Sequence, residues 1–154
     1  MVFLRILTMK KLLILFAFLV VISSCKKDEN IEISSIPSIE FVSITPSSAI
    51  EYQDKITITI SYKDGDGDLG ENSPDVKNLF LTDTRNNVTY QYRISQLAPS
   101  SPAIAVQGIL TIELKNTAIT NGTASQAVSF SLYLKDRSGN VSNTVTTSAI
   151  TVIN

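Results

Sequence analysis

Four carboxylates fall within eight residues at Asp64-Gly65-Asp66-Gly67-Asp68-Leu69-Gly70-Glu71, the densest chemistry in the chain. Like charges held this close repel by about 1 kcal/mol per pair at 4 Å in bulk water, and by several-fold more near a protein surface. Something has to offset them. Glycines at alternate positions let the backbone fold until Asp64, Asp66 and Asp68 converge, and a hard divalent cation taking about six to eight oxygens rewards that convergence. Calcium is the natural candidate. The alternative is a tight acidic turn whose aspartates satisfy their own backbone. Paired carboxylates such as Asp68 and Glu71 can also hydrolyse glycosides, but only when held about 5 to 10 Å apart across a cleft, and one short glycine-rich loop favours a cation instead. Histidine and tryptophan are absent, which excludes histidine acid/base chemistry and zinc sites of the common type.

Counting Asp64 as position 1 of an EF-hand-type loop puts Asp66 at 3, Asp68 at 5, the Gly70 carbonyl at 7, Asn72 at 9 and Asp75 at 12. Leu69 occupies the place where such a loop requires glycine, Asp75 stands where Glu would give bidentate reach, and strands rather than helices flank the segment. The segment is therefore similar to the Asp-Gly-Asp-Gly-Asp calcium loops of exported bacterial β domains.

The elements that must hold this loop read as strands. Lys55 to Lys63 alternates Ile56, Ile58, Ile60 and Tyr62 with Thr57, Thr59 and Ser61, the pattern of a strand with one buried face. Val128, Phe130, Leu132 and Leu134 repeat it, with Ser129, Ser131, Tyr133 and Lys135 facing the other way. Weaker candidates run over Lys77 to Thr82, Val88 to Ile94 and Gln107 to Leu114, with Ser38 to Ile44 first and Val141 to Ile153 last. Turn residues separate them at Thr45-Pro46-Ser47-Ser48, Arg85-Asn86-Asn87, Ala98 to Pro102, Asn121-Gly122 and Ser138-Gly139-Asn140. Seven short strands without a helical stretch predict an all-β fold, a β-sandwich of antiparallel strands.

Leu132 to Asn143, with Asp136 followed by Gly139-Asn140, resembles the last hairpin of bacterial immunoglobulin-like and fibronectin type III-like domains. The resemblance extends loosely over residues 37 to 154 and implies an immunoglobulin-like sandwich; it lacks the inter-sheet cysteines and buried tryptophan of antibody domains. In that arrangement the acidic loop, the Asp136 turn and the Ser95 to Val106 loop share one end, where Asp136, or Glu71 reaching across, would complete a metal shell.

The N-terminal segment carries the address. Lys10 and Lys11 precede an unbroken apolar run from Leu12 to Ile22, and Ser23-Ser24 lead into Cys25, the only cysteine. The run falls short of the roughly 20 apolar residues that a spanning helix needs, and a lone cysteine in an exported chain has no internal disulfide partner. Ile22-Ser23-Ser24-Cys25 resembles the lipobox of bacterial lipoproteins. That resemblance implies diacylglycerol on the Cys25 sulfur, cleavage before it and a second acylation, because one chain alone binds a membrane with only about 10⁴ M⁻¹. Met9-Lys10-Lys11 offers an alternative start. Lys26-Lys27-Asp28-Glu29 resembles the Lys-acidic-acidic tag of surface lipoproteins in the Bacteroidota, which implies the outer membrane and its outer face; a solvated linker has the same composition. The expected organisation is a signal peptide over 1–24, the lipidated cysteine and a tether over 25–36, and the sandwich over 37–154.

Removing residues 1–24 takes away Arg5, Lys10 and Lys11 and leaves 130 residues, one domain's worth, with 10 cationic against 14 acidic side chains and a net charge of −4. A nucleic-acid-binding face is therefore not expected. The expected function is a non-enzymatic binding or scaffolding module on the envelope, taking a glycan, a peptide or an envelope protein, with a structural spacer as the alternative and a carboxylate glycoside hydrolase as a remoter one. Tyr90 and Tyr92 fall on one side of a strand and would make a sugar platform or fill the core. Asn87-Val88-Thr89, Asn121-Gly122-Thr123 and Asn140-Val141-Ser142 match the glycosylation tripeptide but read as turn chemistry.

Overall fold

The computed structural model describes residues 33–101, 103–115 and 117–154. The expected signal peptide, Cys25 and the expected tether up to residue 32 lie outside the described residues. The described chain is all β: β1 (Ser38–Thr45), β2 (Ser48–Ile50), β3 (Ile56–Asp64), β4 (Leu79–Asp83), β5 (Thr89–Tyr92), β6 (Val106–Leu114), β7 (Ser125–Val128), β8 (Phe130–Leu134), β9 (Val145–Thr146) and β10 (Ile150–Ile153). Among the described residues no helix is long and apolar enough to cross a membrane.

One sheet has the order β1-β3-β6, a second β5-β4-β8-β9 and a third β2-β10-β7. Alternation decides what each strand buries. In β3 the isoleucines at 56, 58 and 60 are fully buried, and in β8 Phe130, Leu132 and Leu134 are. These residues join Leu79, Leu81, Val128 and Val152 in a single core cluster fed by all three sheets, which makes the fold sandwich-like.

Ten segments stand where seven strands were expected, for two reasons. The expected strands around Val128–Leu134 and Val141–Ile153 are each broken once, Ser129 separating β7 from β8. Ser131 pairs with Thr146 and Leu132 with Val145, whereas Val128 pairs with Ile150 and Ala127 with Thr151, a slip of one residue across the break. The slip is a β-bulge. Its buried ladder is closed by a side chain: the Phe130 N–H donates to Thr147 Oγ1 at 3.0 Å, and the Thr147 N–H returns to the Phe130 carbonyl at 2.9 Å. The β7/β8 and β9/β10 pair is thus one bent hairpin that joins the second and third sheets into a single layer. The other difference is β2, in a segment expected to be a turn. It follows a cis Thr45-Pro46 bond and runs parallel to β10, with Ala49 opposite Val152, so the layers are not purely antiparallel. Three residues are too few for alternation to announce a strand.

Candidate metal site in the acidic loop

Strand parity puts Asp64 where it is. It ends β3 on the face of Ile56, Ile58 and Ile60, and it is completely buried. Its Oδ2 accepts the Leu69 N–H at 2.8 Å. Its Oδ1 meets no donor, nor do the shielded Oδ1 atoms of Asp66 and Asp68. One carboxylate oxygen from each of the three lies within 4.8 Å of the others. Buried carboxylate oxygens normally find donors, and leaving one bare costs several kcal/mol. Burial, reinforced by the neighbouring Asp66 and Asp68 carboxylates, pushes the Asp64 carboxyl up to about 6 against the Leu69 hydrogen bond that pulls it down. Three convergent carboxylates could hold a metal ion, whose charge would offset their mutual repulsion.

The loop is pinned from beneath. Leu69, fully buried in the core cluster, is its apolar anchor, and burying such a side chain is worth about 1.5–3 kcal/mol. A leucine sits where an EF-hand carries glycine because this loop is seated on the hydrophobic core, into which Leu69 inserts. Gly67 has φ +69° and Gly70 φ +88°, and a Cβ at either would collide with a backbone carbonyl, of Ile104 and of Ser95 respectively. The Ser95 to Val106 loop therefore does pack on the acidic loop, as expected. Gly65 is crowded in the same way by Ile33 and Ser34, and its N–H donates to the Ser34 carbonyl at 2.8 Å. Ile33 and Ser34, placed in the tether by sequence, lie against the site.

The turn after β8 also arrives here, through different residues from the expected ones. Asp68 Oδ2 accepts the Ser138 N–H at 3.0 Å and the Ser138 hydroxyl at 2.6 Å. Arg137 donates from Nη1 to the Gly70 carbonyl at 2.8 Å. Asp136 is spent on its own turn, accepting from the Asn140 N–H at 2.7 Å and from Asn140 Nδ2 at 2.8 Å; it does not join the triad. Glu71 turns away as well. Its Oε1 accepts the Asn72 and Ser73 N–H groups, which hold the carboxyl below its usual range. Asn72 is exposed and bonds Gln96, the Gly70 carbonyl faces Arg137, and Asp75 is exposed. Of the eight expected ligand positions, the structure gathers Asp64, Asp66 and Asp68.

Tyr90 and Tyr92 share one side of β5, as their spacing requires, but that side packs against the core. They are core-edge residues and form no exposed platform. The outward aromatic pair is Phe80 with Tyr133, cross-strand neighbours whose ring centroids are 4.8 Å apart and nearly parallel at 12°. The alternation of β4 and β8 already put both rings on the face opposite Leu81 and Leu132.

No family model, curated protein or solved structure matches the chain. What the site can do rests on its own geometry: a pre-formed trio of anionic oxygens, braced by three neighbouring backbone segments, with its burial already spent.

Proposed function

We propose that the protein is a lipid-anchored, non-enzymatic binding or scaffolding module of the bacterial envelope, whose sandwich is stabilised by calcium in the acidic loop. The observation that carries the metal reading is that each of the three aspartates brings a carboxylate oxygen within 4.8 Å of the others, and that each has a shielded Oδ1 without a donor. Calcium fits them better than magnesium does. Magnesium needs near-ideal octahedral geometry and keeps its waters, whereas calcium accepts irregular shells of carboxylates, carbonyls and water. The immunoglobulin-like reading is supported by the sheet orders β1-β3-β6 and β5-β4-β8-β9 and by a short β2 that crosses to lie parallel with the last strand. Support for the anchor comes from Ile22-Ser23-Ser24-Cys25 and the charged residues that follow.

The test is thermal unfolding of the purified protein in chelator and in millimolar calcium, for the wild type and Asp66→Ala. Calcium at about 100 times its dissociation constant adds about 2.7 kcal/mol, or several degrees in a domain of this size, and the substitution removes the gain. An unchanged melting temperature in calcium rejects the metal reading and leaves an acidic turn.

A further inference from the structure

We propose that the groove beside the acidic loop binds the carboxylate of a small sugar acid. The groove has a volume of about 310 Å³, and Lys77, Lys135 and Arg137 converge on it with Glu71, Asp136 and Val76. Among the described residues only Lys55 and Arg85 pair with a carboxylate, bonding Glu113 and Asp83. Of the six remaining cations there, half line this one groove.

Of its two acids, Asp136 is engaged through both oxygens by Asn140, and Glu71 through Oε1 by the Asn72 and Ser73 N–H groups. The cations keep donors to spare. Lys77 gives one N–H to the Pro74 carbonyl and Arg137 one to the Gly70 carbonyl, out of three and five available on such side chains. Three positive and two negative groups leave a lining charge of +1. That balances a carboxylate; a phosphate group carries about −1.5 to −2.

The body attached to that carboxylate follows from the walls. Val76 is 42% exposed, an apolar patch among charges. Asn78, Ser138 and Gly139 complete the lining and offer amide, hydroxyl and backbone partners for hydroxyl groups. An apolar patch and hydroxyl-binding groups next to cations suit a sugar ring, with its C–H face, its hydroxyls and its acid. The volume is at the bottom of the range of about 300–1,000 Å³ for ligand sites, enough for one such unit. A peptide finds no purchase by strand addition, because β4 and β8 are each paired on both sides. The proposal deepens the binding-module reading and rests on it. The groove's cations lie outside the acidic triad, so sugar-acid binding and calcium-dependent melting are read separately.

The experiment is an amide NMR titration of the full-length protein in calcium buffer with glucuronate, glucose, acetate and inorganic phosphate, repeated with the double variant Lys77→Gln/Lys135→Gln. Glucuronate is expected to shift the Lys77, Lys135 and Gly139 amides saturably, and glucose to leave them in place. Acetate and phosphate are expected to bind at least about tenfold more weakly, and the double variant to lose about tenfold in glucuronate affinity while keeping its melting temperature and calcium response. Equal shifts with glucose, phosphate binding as tightly as glucuronate, or undiminished binding by the double variant each overturn the assignment. Absence of glucuronate binding while calcium still raises the melting temperature overturns the groove and leaves the metal loop standing.

Discussion

Asp64 carries a conflict that the rest of the loop is built around. A carboxylate at the buried end of an isoleucine strand prefers its proton, and its pKa near 6, against an ordinary 3.8, expresses that preference. A raised pKa means that the folded state holds the proton more tightly than the unfolded one. The associated stability is full below about pH 3.8 and is lost as pH climbs through about 6. Glu71 and Glu113, both held below the ordinary 4.5, give the opposite slope, but only where they begin to protonate, below about pH 4.5. Between pH 5 and 6.5 the raised Asp64 carboxyl gives the falling slope. In chelator, urea unfolding across that window should show stability falling as pH rises, and Asp64→Asn should flatten the slope; a wild-type curve that rises across the window would contradict the buried carboxyl. Calcium competes with the same proton, so its stabilising effect should be larger at pH 7.5 than at pH 5. Leu69 tests the other half of the arrangement. Leu69→Ala should cost about 2–5 kcal/mol of stability by denaturant unfolding, and should weaken calcium binding as well, because the loop loses its anchor to the core while keeping every carboxylate.

At the scale of elements, the bent hairpin is the feature most exposed to a single change. Thr147 replaces a backbone partner at the bulge, so Thr147→Val, nearly equal in volume, strands the buried Phe130 N–H and should cost about 1–3 kcal/mol. Ser148→Ala, on an exposed neighbour, is the control that should leave the denaturation midpoint unmoved. The two strands that alternate cleanly, β3 and β8, were legible from residue types alone, and β1, β4, β5 and β6 lie within about two residues of their sequence boundaries. The bulge was not legible because the inward period runs unbroken through it: Val128, Phe130 and Leu132 keep their parity while the pairing slips. The convergence of the acidic triad was legible for the opposite reason. Its three aspartates are local in sequence and spaced by glycines. The expected distant ligand failed because Asp136 has a nearer partner in Asn140, and sequence spacing cannot weigh a local hydrogen bond against a remote one. Arg137 and Ser138, which brace the loop, sit one and two positions further on, where only the folded turn reveals them.

Across the whole molecule, charge and anchoring set the expected behaviour. The region after residue 24 carries a net −4, with three of its acids packed at one site, so chelation should loosen the loop locally before the sandwich unfolds. Limited proteolysis in chelator should cut within residues 65–78 while β3 and β8 remain intact, and calcium should suppress that cut. Uniform cleavage in both conditions would show that the loop is held by its backbone contacts alone. The address is tested separately: Cys25→Ser should abolish incorporation of labelled fatty acid and move the protein out of the membrane fraction, with its calcium response unchanged.

The hydrogen bond from Gly65 to Ser34 has a mechanical meaning. Tension drawn along the chain from residues ahead of Ile33 meets the sandwich at this contact, one residue from Asp64, before it can reach β1 and start to peel it from β3. An ion seated among the aspartates would act as a clasp at the point of first load. The force needed to begin unzipping the domain should then track the calcium of the surroundings.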